Sequence, residues 1–278
     1  MSGSKIRNIA IAALLVANLL FLWVIIYEAV QDVRQEREMV ENVRTILYNG
    51  GIAIEPESIR VTPTQRAMRT SRVLEVEESI ARVLLGDTVI TDQGIIYRYE
   101  NPRTGMAEFY SAGVFHVHIY PDVISAAGDA AATVSLLLRE MGVETTRKTV
   151  ELNEADDSET VTVTVAYRSS SIFNSAIEFV FIEGSLRYVI GRYVAGIEPF
   201  EDSHGISQVS SALLTFMAAV IDESREDIYC TEIHSVAAGF LHRIVGSFGE
   251  GLIEPAWLIE TDNGVFIIED LTGDIWRQ

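Results

Sequence analysis

The sequence predicts an α+β fold, with an N-terminal transmembrane helix followed by two domains that each pack helices on an antiparallel sheet. Three observations lead there. Residues 9–26 read IAIAALLVANLLFLWVII, without one charged side chain. Beyond residue 50, helical patterns alternate three times with runs of short strands, the order expected when helices cover antiparallel sheets. The third is charge. Residues 1–27 hold only Lys5 and Arg7, whereas the remainder carries 19 basic against 40 acidic residues.

About 20 apolar residues at 1.5 Å rise match a hydrocarbon core of about 30 Å. Trp23 and Tyr27 fall where an interfacial aromatic belt belongs. The apolar run exceeds the roughly 7–15 residues of a cleavable signal, and no small-x-small site follows it, so the anchor is expected to stay. Lys5 and Arg7 lie before it, and Glu28 and Asp32 after it. That places the N-terminus in the cytoplasm and the body outside the cell membrane, with Arg34 and Arg37 reducing the asymmetry. Ala10, Ala13 and Ala17 share one helical side, which Phe21 and Val24 continue, and Asn18 flanks it. Such a stripe suits close contact with another membrane helix; alternatively, the alanines are ordinary membrane residues and Asn18 bonds its own backbone.

Residues 28–49 continue as an amphipathic helix with apolar Ala29, Val33, Val40, Val43 and Leu47, ended by Gly50-Gly51. The first extracytoplasmic domain, 50–145, starts with a helix over 76–85 that Gly86 closes. Strands follow at 94–100, 107–111 and 114–120, then a helix over 125–141 with Val134, Leu138 and Met141 on its buried stripe. The second domain, 146–278, has strands at 149–152, 160–167, 172–182 and 186–194. A helix over 206–221 comes next, and strands at 228–237, 257–260, 265–269 and 274–276 end the chain.

A body with this acidic excess repels nucleic acid, which is excluded as a partner. The single cysteine, Cys230, excludes an internal disulfide framework and reads as a small buried hydrophobe.

The last hairpin, WLIETDNGVFIIEDLTG (257–273), has a tryptophan-led strand, a glycine turn, a second strand and Thr-Gly, and is entered through LIEP (252–255). With the ISQVSSALLTFM helix, the IYCTEIHSV strand and the anchor ending LLFLW, it resembles the YycH/YycI family of Gram-positive regulatory proteins, and its YycI branch. The resemblance implies PepSY-like domains and an accessory role in a two-component system that governs the cell wall. Its implied partners are the membrane helices of a sensor histidine kinase, a YycH-like protein and the lipid bilayer. It implies no cofactor and no catalytic residues. The family's Tyr-Tyr pair in the last hairpin is replaced here by Val265-Phe266-Ile267-Ile268.

His116 and His118 are two apart in a strand and share a face, so both imidazoles can address one metal ion. Phe115, Val117 and Ile119 would then form the buried face, which equally suits an ordinary half-buried strand. The acidic loop 153–159 lacks the spacing of a calcium loop. Ser203-His204-Gly205, Ser235 beside His234, and His242 lack a G-x-S-x-G elbow, and no phosphate-binding glycine pattern occurs, so the chain is not expected to be an enzyme. An exposed sheet edge receiving a partner strand is a further possibility, against internal pairing that leaves only short edges. The alternative to kinase regulation is an extracytoplasmic PepSY-like module that binds a ligand or restrains a protease.

Overall fold

The computed structural model describes residues 14–15, 18–24, 27, 31, 38–60, 65–111, 113–126, 128–153, 157–200, 205–222, 228–246 and 249–278. Helical residues 38–49 lead, past Gly50-Gly51, into β1 (Ala53–Ile54), β2 (Ile59–Arg60) and β3 (Met68–Thr70). Helix α1 (Leu74–Leu85) precedes β4 (Val89–Asp92), β5 (Ile96–Asn101), β6 (Gly105–Tyr110) and β7 (Val114–Ile119). Helix α2 (Ala130–Met141) precedes β8 (Thr145–Asn153), β9 (Ser158–Tyr167), β10 (Ser170–Ile182), β11 (Ser185–Arg192) and β12 (Glu198–Pro199). Helix α3 (Val209–Ile221) precedes β13 (Glu232–Ile244), β14 (Gly251–Thr261), β15 (Gly264–Glu269) and β16 (Ile275–Arg277).

Among the described residues these sixteen strands join one hydrogen-bonded sheet with two leaves. The first leaf runs β8-β9-β10-β11-β7-β6-β5-β4 and is antiparallel throughout. The second is built on the β13–β14 pair. On the far side of β14, β3 bonds its start and β15 its end, while β1 and β2 lie parallel to β13. One long strand joins the leaves: β10 touches β13 in parallel at Ile172↔Phe240, then continues into the first leaf. Gly239 permits this closeness. A Cβ there would run into the Phe173 ring and stand 2.6 Å from the Ser171 carbonyl oxygen.

The predicted arrangement of two small sheet-plus-helix domains is therefore overturned. Strand β11, after residue 145, pairs along Tyr188–Arg192 with β7, before it. Alternation and turn residues identify strands, but sequence order does not say which strands are neighbours. The predicted transmembrane helix is overturned as well: among the described residues no helix is long and apolar enough to cross a membrane.

Each leaf buries one face under helices. On the first, Ile80 and Leu84 of α1 and Val134 and Leu138 of α2 pack with Phe109, Phe115, Val163 and Phe179. On the second, Leu213 and Phe216 of α3, together with Val43 and Leu47, cover Val236, Trp257, Ile259 and Phe266. Helix α2 starts later than its hydrophobic stripe suggests, because Asp129 caps it by accepting from the Ala132 N–H at 2.9 Å. Just upstream, the Ala126 N–H is drawn off to the Gly184 carbonyl.

Candidate functional site

Among the described residues, the outer face of the first leaf and the cleft where the leaves meet carry no helix. On the outer face, β7 alternates as its sequence requires, with Phe115, Val117 and Ile119 buried and His116 and His118 turned out. Both histidines do share a face. Their neighbours, however, are rings. His118 stacks on Tyr188 of β11 with centroids 5.2 Å apart, and His116 lies 5.6 Å from the Tyr110 ring. Among the described residues no group of three His, Cys, Asp or Glu is placed to hold a metal ion. Met106, Tyr120, Tyr188 and Ile190 extend the patch, each 36–41% exposed. At its side Arg98 bonds Glu108 at 2.6 Å, and that hydrogen bond holds the Glu108 carboxyl below its ordinary range.

The cleft at the seam has a volume of about 400 Å³. Phe173, Ala237 and Leu258 supply its apolar lining; the polar end is ordered by Glu260. The Ser235 hydroxyl donates to Glu260 Oε2 at 2.7 Å, and Arg147 Nη1 meets Oε1 at 3.0 Å. A volume of this order suits a small ligand or a side chain. Chemically, the arrangement is a fixed carboxylate and a guanidinium beside an apolar floor, suited to binding. Ser235 follows His234 at a bulge of β13, but its hydroxyl is committed to Glu260 and His234 lies 3.8 Å from exposed Glu232, so the adjacent pair is not arranged as nucleophile and base. Ser203 and His204 fall outside the described residues, as do residues 154–156 of the acidic loop.

Two buried polar sites have no sequence signature. In one, Arg72 grips Glu77 of α1 with both arms, at 2.6 and 2.9 Å, and the Tyr193 hydroxyl donates to the same carboxylate. Arg72 also donates to the Phe109 carbonyl and stands 4.5 Å over the Tyr97 ring. Burial works against the Arg72 charge, but Glu77 more than offsets it and the guanidinium is held above its ordinary range. Burial raises the Tyr193 phenol strongly, and Glu77 adds to that. In the other site, His242 of β13 is buried. Its Nε2 lies 3.2 Å from Thr70 Oγ1, and its Nδ1 has no hydrogen-bond partner. Burial, aided by Arg192, pushes its pKa down to about 4. Cys230 is buried as expected, its thiol raised to about 11 by burial and then by Asp262.

Of the proposed membrane-contact residues, Ala10, Ala13 and Ala17 lie outside the described residues. Asn18, Phe21, Trp23, Val24 and Tyr27 are helical and exposed, and Trp23 and Tyr27 stack at 5.7 Å. Leu14, Leu15, Leu19, Leu20 and Leu22 are likewise more than half exposed.

No family model matches the chain, and no curated protein does either. Its fold is similar to the crystal structure of an uncharacterized protein from Eubacterium rectale ATCC 33656. That match has a TM-score of 0.51 and 9% identity, covering 82% of this chain and 90% of the other. At that identity the likeness concerns the fold alone.

Proposed function

We propose that this chain is an accessory protein of a cell-wall-regulating two-component system, held at the cell membrane by its apolar N-terminal segment. The observation that carries the reading is the exposure of that segment. Leu14, Leu15, Leu19–Val24 and Tyr27 offer apolar surface to solvent rather than to the sheet body. A contiguous apolar patch of this kind calls for lipid or a partner helix. Lys5 and Arg7 flank that segment and suit a membrane surface, from which the acidic body stands off. There it associates with a YycH-like protein and with the membrane helices of a sensor histidine kinase. It acts as a bias between kinase states, and a differential affinity of about 1–3 kcal/mol suffices for such a shift.

The test is Leu19→Ser/Leu20→Ser/Phe21→Ser in the full chain. The triple variant is expected to leave sedimented membranes, to stop co-purifying with the kinase and to change reporter output several-fold. Unchanged membrane retention and kinase output would sink the proposal. The seam cleft favours a second reading, an extracytoplasmic module that binds a ligand or restrains a protease. On that reading Leu258→Glu abolishes function while the N-terminal variant retains it; the first reading requires the opposite pattern.

A further inference from the structure

The seam cleft lies where three strands leave their regular register. Strand β8 slips against β9 between Thr145 and Lys148, β10 slips against β9 between Ser171 and Ala176, and β13 slips against β14 between Ile233 and Ser235. Bulges re-aim side chains, and these three aim at one place. Regular alternation would send Thr146 and Arg147 to opposite faces of the sheet; the slip in β8 lets both line the cleft. Phe173 reaches it from the slip in β10, and Ser235 from the slip in β13. Glu260 stands opposite Ser235 in the register, and Leu258, on the same face, stands opposite Ala237.

The polar end has bonding capacity left over. Glu260 accepts one bond on each oxygen, from Ser235 at 2.7 Å and from Arg147 at 3.0 Å, and each carboxylate oxygen can take another. Arg147 uses one nitrogen there, and its side chain is 61% exposed. The Thr146 and Ser171 hydroxyls lie 2.7 Å apart, and only one of their two protons is engaged in that contact.

We propose that the seam cleft binds a free α-amino acid with an apolar side chain. Its ammonium meets Glu260, its carboxylate meets Arg147 and the Thr146–Ser171 hydroxyl pair, and its side chain lies on Phe173, Ala237 and Leu258. Charge selects this ligand. An anion alone is opposed by Glu260 and a cation alone by Arg147, while an uncharged apolar group would cover both charges without replacing their water, which is costly. A zwitterion satisfies both. The two receiving groups also stand close, 3.0 Å from nitrogen to oxygen. An α-amino acid carries both of its charges on one carbon and matches that spacing; the charged termini of a peptide lie at least one residue further apart. The cleft volume of about 400 Å³ is at the small end of the range for ligand sites. This inference rests on the seam-cleft reading and names its ligand; it asks nothing of the kinase.

The test is titration calorimetry of the full chain in detergent with L-leucine and L-phenylalanine. Saturable binding is expected. N-acetyl-L-leucine, without the ammonium, and L-leucinamide, without the carboxylate, should each bind at least about tenfold more weakly. Glu260→Gln should erase the preference for leucine over N-acetyl-leucine, and Arg147→Met the preference for leucine over leucinamide. Each variant is compared with itself across ligands, so a loss of folded protein does not imitate the result. If Leu258→Glu abolishes function in cells while leucine fails to bind, the cleft reading stands and this inference falls. Three further results each overturn it: no saturable heat with either amino acid into the millimolar range; both blocked analogues, or the tripeptide Leu-Leu-Leu, binding as tightly as leucine; or both variants keeping the ligand preferences of the unmodified chain.

Discussion

Glu77 has no exposed surface, and its carboxylate is shared between the Arg72 guanidinium and the Tyr193 hydroxyl. Removing one partner of a buried ion pair strands the other, so Arg72→Met should lower the free energy of unfolding by about 3–5 kcal/mol in urea titrations. Tyr193→Phe removes one hydrogen bond to a charged group and should cost about 1.5–3 kcal/mol. The reverse ranking would argue against the guanidinium as the principal partner. At His242 the prediction concerns pH. Its folded pKa is about 4, below the unfolded value of about 6.5. The unfolded chain therefore binds the extra proton between those values. Stability is complete above about pH 6.5 and falls as pH drops toward 4, by up to about 3 kcal/mol. His242→Gln should flatten that part of the profile relative to wild type. Neither buried site is legible in the sequence. Arg72 and Glu77 are close neighbours in the chain, but Tyr193 comes from 116 residues away, and no local pattern announces such a partner. The turned-out faces of His116 and His118 are legible, because alternation in a strand is local.

Helices are legible where a stripe and a cap agree, and less so where only the stripe speaks. The start of α2 shows the difference: Asp129 fixes it against a hydrophobic pattern that runs on upstream. Asp129→Ala should cost about 1 kcal/mol of stability, measured by thermal or urea unfolding. Strand ends are obscured for the opposite reason, because local composition argues against pairing that does occur. The Ala237-Ala238-Gly239 run of β13 has little β propensity, and Pro255 sits inside β14, yet both are paired. Pro255 fits because its nitrogen faces the gap between β3, which pairs with β14 as far as Ile253, and β15, which pairs from Ala256, so the missing N–H costs no ladder bond; its carbonyl on that side accepts from the Asp270 N–H at 3.2 Å. Gly239 is small because β10 crosses there. Gly239→Val should push Phe173 and the Ser171 backbone aside, costing about 1–3 kcal/mol and loosening the seam, which slowed refolding and faster amide exchange at Ile172 would report.

Taken as a whole, the described residues form two large cores and a small third at Phe173, Ala256 and Ile267, but one sheet, and the partner strands of the first leaf come from both sides of residue 145. Separately expressed 50–145 and 146–278 are therefore expected to lack near-ultraviolet ellipticity when alone. Mixing them should recover part of it. Two independently folded fragments would contradict the shared sheet. Strand content is visible from turns and alternation; the order of strands is not, since pairings such as β7 with β11 join segments about 70 residues apart.

The short strands β1 and β2 give the N-terminal segment a particular mechanical connection to the body. Both run parallel to β13, through Ala53↔Glu232, Ile54↔Ile233, Ile59↔Val236 and Arg60↔Ala237. Tension applied from the N-terminal side must first strip Val43 and Leu47 from their core and then acts along these strands, whose bonds share the load in shear instead of peeling open in turn. The join is built to resist tugging, and pulling the chain by its N-terminus should rupture the β1–β2 attachment at higher force than unzipping β16 from the opposite end.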